Sequence, residues 1–314
     1  MINDKDLLGL HTQQMQEFQL AKQNFEGLEE LVYKEVPCEH YAIQLQHNPA
    51  RMISTNAKTD QATLDSRPCF LCSENHPKGQ SGVAYGEKYH IFVNPYPIFK
   101  RHFTVPSNAH TPQRISGHFK DLLHLAFDFQ EYTAFYNGAS CGASLPTHFH
   151  FQLAPRHLMP VEDDVKQPEL KEEICSNGVD IFTLKNYLRT VFILQSSKME
   201  DLLNSFQSIQ QMIGEATPFT DEPMMNILAW CEGKQWTVAI FPRKQQRPRQ
   251  FFAEGEEKIL FSPGCVDMAG LIIAPRQEDY KRYTAPLLAD LFSQVTITAE
   301  SEQYIIDKLK NLKP

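Results

Sequence analysis

The chain reads as an α+β protein built from two halves, each an antiparallel sheet flanked by helices. Three observations carry that expectation. Residues 90–155 run strand, strand, long helix, glycine-rich loop, strand. Within them, Thr147-His148-Phe149-His150-Phe151-Gln152 alternates polar and apolar residues with the period of a strand. Finally, Phe151-Gln152-Leu153-Ala154-Pro155-Arg156 aligns without gaps on Leu271-Ile272-Ile273-Ala274-Pro275-Arg276, as a worn second copy of the first half would. In that register Met268, Gly270 and Ile272 fall on His148, His150 and Gln152. The halves are expected at 1–160, which holds the polar row, and 161–314, which has lost it.

The elements follow in order. Residues 3–31 read as an amphipathic helix, and Tyr41 to Gln46 as a short strand ended by His47-Asn48-Pro49. Arg67 to Gly86 is rich in Pro, Gly and Cys and reads as loop. Strands are expected at 90–93, stopped by Asn94-Pro95-Tyr96-Pro97, and at 102–105. Apolar residues at Ile115, Phe119, Leu122, Leu123, Ala126, Phe129 and Tyr132 keep helical spacing, which predicts one helix over 115–136. Residues 160–180 are acidic and carry prolines, as a connection between halves would. Residues 180–213 read as mostly helical. Trp236 to Phe241 is a strand that runs into the basic turn Pro242-Arg243-Lys244-Gln245-Gln246-Arg247-Pro248-Arg249.

Composition narrows the function. The 314 residues suffice for one large domain or two ordinary ones, and 42% hydrophobic with 22% charged is a globular balance. A net charge of −8 with no basic tract argues against nucleic acid as partner, so any polyanion is bound locally in a pocket. No apolar run spans a bilayer, and the amino terminus is no signal peptide. Seven cysteines, an odd number over so long a chain, argue against a disulfide framework. A cytoplasmic protein without membrane contact is expected.

The chemistry concentrates around one strand. Alternation puts His148, His150 and Gln152 on one face and Phe149, Phe151 and Leu153 on the other. Two imidazoles and a carboxamide in a row are hard to bury without purpose. Upstream, Asn137-Gly138-Ala139-Ser140-Cys141-Gly142-Ala143-Ser144 is a small-residue loop that a phosphate can approach closely. A neutral imidazole attacks phosphorus and leaves again, so the central His150 is the candidate nucleophile. Gln152 can donate a hydrogen bond to a phosphate oxygen without acting as an acid. Cys69-Phe70-Leu71-Cys72 is a metal or redox pair, or else two buried thiols.

The run Gly142-Ala143-Ser144-x-x-x-His148-x-His150-x-Gln152 resembles the signature of the transferase branch of the histidine-triad superfamily. That branch includes galactose-1-phosphate uridylyltransferase, diadenosine-tetraphosphate phosphorylase and GDP-L-galactose phosphorylase. The resemblance implies a nucleotidyltransferase working through a covalent nucleotidyl-histidine on His150, with phosphate or a sugar phosphate as acceptor. A nucleotide-sugar or dinucleoside polyphosphate would be the donor. It implies that Gln152 orients the phosphate and that Ser144 contacts the acceptor or leaving group. Asn137-Gly138 matches the family's Asn-x-Gly pattern. Phe149 and Phe151 stand where the uridylyltransferases have Pro and Gly around the nucleophile, which likens the motif to the phosphorylases.

The same resemblance makes Cys69, Cys72, His110 and His148 a Cys₂His₂ set for a structural zinc, with His118 and His124 on the long helix as rivals. It assigns Asn94 to the base and ribose, and Arg51, with Lys58, to phosphates. In the second half Arg243 and Lys244 head the densest positive patch, where acceptor phosphate would be captured. A hydrolase in which water discharges the intermediate, and a zinc-stabilised nucleotide-binding protein without catalysis, are the alternatives.

Overall fold

The computed structural model describes residues 2–55, 63, 68–176, 178–219 and 221–311; Lys58 lies outside them. The expected amino-terminal helix is two. Helix α1 (Asp4–Glu17) starts at a capping box, in which Asn3 Oδ1 accepts from Lys5 N–H and Asp6 accepts from Asn3 N–H. The chain breaks at Phe18 and resumes as α2 (Gln19–Glu26). Strands β1 (Val32–Pro37) and β2 (Ala42–His47) form a hairpin, and β3 (Gly82–Tyr85), β4 (Tyr89–Val93) and β5 (Phe103–Pro106) follow.

Helix α3 covers only Phe119–Asp128, residues 115–118 are a turn, and the end of the expected helix is the strand β6 (Tyr132–Asn137). All six β6 residues are buried, so the strand lacks the alternation that marks a half-exposed one, and its aromatics prolong the helical stripe in sequence. Next come β7 (His150–Pro155), β8 (Lys171–Ser176), β9 (Asp180–Leu184) and β10 (Phe192–Ser196). Residues 180–213 are therefore largely strand before α4 (Met199–Ala216) begins. The reason is again burial: Ile181–Leu184 and Phe192–Leu194 are short runs buried on both faces, apolar but for Thr183. Strands β11 (Met225–Glu232), β12 (Gln235–Pro242) and β13 (Leu271–Ala274) precede α5 (Ala285–Val295) and α6 (Ala299–Lys310).

Ten strands form one antiparallel sheet in the order β3-β4-β5-β7-β6-β11-β12-β10-β9-β8. Five strands from each half meet at β6 and β11, and each half uses its strands in the same relative order. By that order the counterpart of β7 is β12, not β13. The repeat register read from Ala-Pro-Arg is thus overturned: β13 lies in a separate three-stranded sheet, parallel to β2. Where β7 presents His150, Gln152 and Ala154 on one face, β12 presents Thr237, Ala239 and Phe241.

Alternation along β7 sorts its residues into two cores. Phe149, Phe151 and Leu153 join the core under α1, α2, α3, α4 and α6. On the other face Phe135, Ala154 and Leu228 pack with β2, β13 and α5. Of the expected row, His150 and Gln152 open on this second face, while His148 precedes β7 and turns to the cysteine pair instead. Among the described residues no helix is long and apolar enough to cross a membrane.

Candidate active site

A cavity of about 320 Å³ sits on that face, within the range of small-molecule sites. His150, Gln152, Ser144, Asn137, Asn94 and Arg51 all line it, so most of the expected site residues converge. Phe70, His76, Phe92, Tyr96 and Leu20 line it as well, and form an apolar and aromatic wall. From the second half come Arg247, Ser262, Gly264, Asp267 and Ile273.

His150 is the first residue of β7 and nearly buried. Its Nδ1 lies 2.9 Å from the carbonyl oxygen of His148. A carbonyl only accepts, so Nδ1 carries the proton and Nε2 keeps its lone pair. Burial lowers the pKa to about 4, against the opposing pull of that hydrogen bond. The imidazole is neutral at pH 7, the state a nucleophile needs.

At the start of the neighbouring strand β5, a histidine that by sequence is only a strand residue fixes the carboxamide. His102 accepts Ile98 N–H at Nδ1 (3.2 Å), so its Nε2–H is the donor to Gln152 Oε1 at 2.8 Å. Gln152 is thereby oriented with its oxygen on His102. Burial holds His102 neutral, with a pKa lowered to about 3, and the charge of Arg51 acts in the same direction. Its signal in the sequence was a lone His at the mouth of a strand, indistinguishable by type from a core residue.

Charge enters the cavity from both halves. Arg51 donates to the Tyr96 carbonyl at 2.7 Å, and Arg247 donates to Ser262 Oγ at 2.8 Å while resting on the Phe251 ring. Burial lowers the Arg51 pKa to about 10, partly offset by Asp267. Asp267 accepts from the backbone of Gly264 (2.9 Å) and Ile273 (3.0 Å), and its pKa is pushed up to about 6, burial being the main cause. Asn94 forms a turn, its Oδ1 accepting Tyr96 N–H at 2.9 Å.

The structure does not bring Arg243 and Lys244 to the cavity. Arg243 is fully buried and donates to Asn226 Oδ1 (2.7 Å) and to the carbonyls of Pro263, Val295, Gln245 and Gln246. Lys244 is exposed on the turn, its backbone N–H paired with Val295. Asn226 in turn donates to Asn137 Oδ1 at 2.9 Å, and the same oxygen accepts Cys265 N–H at 2.6 Å. Asn137 thus ties the two loops together besides facing the cavity. Gly138 sits behind this joint, its N–H on the Met225 carbonyl. Gly142 has φ +98° and a Cβ there would lie 2.5 Å from Gly264 Cα, so only glycine permits the loops to meet.

The Cys₂His₂ set is brought together. One donor atom from each of Cys69, Cys72, His110 and His148 lies within 4.8 Å of the others, a group that can hold a metal ion. His148 Nδ1 is 3.2 Å from Cys69 Sγ and His110 Nδ1 is 3.1 Å from Cys72 Sγ. His148 Nε2 lies 2.8 Å from the Ser107 carbonyl, so it carries the proton and Nδ1 is the nitrogen with a lone pair to offer a metal. Burial, with Cys69 beside it, raises the Cys72 thiol to about 11. His118 instead pairs with the Tyr89 hydroxyl and stacks on Phe149 at 3.8 Å, and His124 is exposed.

Comparison with known proteins agrees with this architecture. Residues 10–155 match the model of a domain of unknown function, DUF4922, and residues 161–312 match that of the GDPGP1-like C-terminal domain. Yeast Ap4A phosphorylase Apa2 in complex with AMP superposes with a TM-score of 0.59 at 16% identity, covering 90% of this chain and 97% of that one. The same enzyme with Ap4A gives 0.56 at 16% identity over 89% and 97%. The chain shares the fold of that phosphorylase. A GalT-like protein from Arabidopsis thaliana aligns over 83% of this chain and 99% of its own at 16% identity, but with a TM-score of 0.33 that adds no weight. No curated protein matches the sequence.

Proposed function

We propose that the protein is a nucleotidyltransferase of phosphorylase type. His150 Nε2 attacks the α-phosphorus of a nucleotide-sugar or dinucleoside polyphosphate. The N–P bond forms as the bond to the leaving oxygen breaks, and a sugar phosphate or nucleotide departs. Phosphate or a sugar phosphate then attacks the same phosphorus, the N–P bond breaks, and neutral His150 returns. Gln152 donates to a non-bridging oxygen, with Ser144 and Arg51 near the phosphates and Asn94 toward the nucleoside. One observation carries the reading: a buried imidazole that lines the cavity has its proton pinned on Nδ1 by the His148 carbonyl, which leaves the Nε2 lone pair for attack. That a fold relative is described as Ap4A phosphorylase, with AMP and with Ap4A, agrees with the donor class.

The metal cluster fits zinc, because two thiols and two imidazole nitrogens are a borderline-soft tetrahedral set. Cys69, Cys72, His110 and His148 would hold it, and its part would be structural. All four ligands are protein side chains, which leaves no open position for substrate.

The test is labelling with donors carrying ³²P at the α-phosphate, across nucleotide-sugars and dinucleoside polyphosphates. A protein-bound label that is acid-labile, alkali-stable and lost in His150→Ala is expected, discharged by phosphate and not by water. No label from any donor overturns the covalent mechanism. Label discharged equally fast without phosphate makes the protein a hydrolase, and nucleotide binding without label makes it a sensor.

A further inference from the structure

Strands β6 and β7 run in register from Tyr132↔Pro155 to Phe135↔Gln152 and then stop pairing. Continuing that register by two residues would set Asn137 opposite His150. The strands separate there, and the gap is filled by one side chain from neither strand. Gln113, 1% exposed, accepts His150 N–H on Oε1 at 2.8 Å. Its Nε2 donates to the His150 carbonyl (2.9 Å) and to the Asn137 carbonyl (3.0 Å). The amide therefore replaces a rung of the ladder and satisfies backbone groups that the divergence would otherwise leave buried and unpaired.

Gln113 is itself held. Its N–H donates to the Pro146 carbonyl at 2.9 Å and its carbonyl accepts the Tyr136 hydroxyl at 3.1 Å. Glu222, from the second half, accepts that hydroxyl and the backbone N–H groups of Ile115 and Ser116, each at 3.0 Å. A wedge this constrained fixes the backbone on both sides of the cavity floor, at His150 and at Asn137.

We infer that Gln113 is a positioning residue for transfer through His150: it props β6 and β7 apart and sets the backbone from which the nucleophile projects. It touches no substrate, since it does not line the cavity. The inference rests on His150 being the nucleophile.

The experiment compares wild type, Gln113→Met and Gln113→Glu. Met keeps length and removes all three hydrogen bonds; Glu keeps the acceptor for His150 N–H and loses both donors. Single-turnover labelling at saturating donor is expected to slow ~100-fold in Gln113→Met, the size of effect expected for an ångström-scale misplacement. Donor affinity should stay within about threefold and the thermally folded fraction unchanged at the assay temperature. Long-range ¹H–¹⁵N spectra should report mixed Nδ1–H and Nε2–H tautomers for His150 where wild type has only Nδ1–H. Labelling at the wild-type rate per folded molecule overturns the inference. If Gln113→Met does not fold, Gln113→Glu carries the same readouts with a smaller loss. If wild type itself takes no label, the nucleophile reading fails; the tautomer spectra still decide the wedge, and an unchanged His150 spectrum in both variants overturns it.

Discussion

His102 Nε2 donates to Gln152 Oε1 across 2.8 Å, and this bond decides which way the carboxamide faces. With the oxygen committed to His102, the amide nitrogen is the end left for a phosphate oxygen. A glutamine free to flip would spend part of its time offering an acceptor to an anion.

This makes the two side chains one unit. Gln152→Ala should slow nucleotidyl transfer ~100-fold, the usual loss for a single anion-stabilising donor. His102→Leu should slow it about tenfold by releasing the amide. The double variant should be no slower than Gln152→Ala alone, because His102 acts only through Gln152. Additive losses in kcat would show that His102 acts by another route.

His102 also predicts how stability depends on pH. Its folded pKa, about 3, lies below the unfolded value near 6.5. Between those values the unfolded chain binds a proton that the folded protein refuses, so stability rises with pH in that window. The contribution is complete above pH 6.5 and is lost as pH falls toward 3. About 2 kcal/mol of it should go between pH 7 and pH 5. Denaturant titrations at the two pH values measure it. The difference should shrink by roughly that amount in His102→Leu, and an equal difference in both proteins contradicts the assignment.

The histidine row, the glycine loop and the cysteine pair were legible because imidazoles, thiols and glycines are distinctive residue types in local patterns. Their cavity was not, since part of its wall, from Gln246 and Arg247 to Ile273, is contributed by the second half through a sheet junction that no local pattern announces. The central strands β6 and β11 are buried along nearly their whole length, so they carry neither period by which a strand is recognised. Gln113 and His102 look like ordinary polar residues until register places them against His150 and Gln152. The Ala-Pro-Arg match misled because six residues can recur after any buried strand, whereas strand order reports the true counterpart.

Arg243 is buried and Arg247 lines the cavity, though the sequence sets them four residues apart in one basic turn, so the two should answer differently to substitution. Arg243→Met strands Asn226 Oδ1 and the Pro263 and Val295 carbonyls in the interior, releases the Gln245 and Gln246 carbonyls of the turn, and should cost about 3 kcal/mol of stability. Arg247→Ala should cost less than about 1 kcal/mol while raising KM for phosphate about tenfold. Denaturant unfolding and acceptor kinetics on both variants check this. A phosphate defect in Arg243→Met at full stability would restore the patch to the acceptor site.

His148 joins the metal cluster to the nucleophile, because one residue serves both. Its Nδ1 faces the two thiols while its carbonyl oxygen receives the His150 proton. Anchoring the ring therefore anchors the peptide that fixes the His150 tautomer. Purified protein should carry one zinc per chain by elemental analysis. Cys69→Ser should weaken metal affinity 10-fold or more, since a hydroxyl is a far poorer ligand than a thiolate. Stripping the ion with a chelator should lower Tm by several degrees, with zinc restoring it and magnesium not. The loss of stability should precede any loss of nucleotide binding, because the cluster lies outside the cavity apart from the neighbouring Phe70 and Leu71. Protein purified without metal, and as stable as the chelated form, would reduce the four residues to a packed polar cluster.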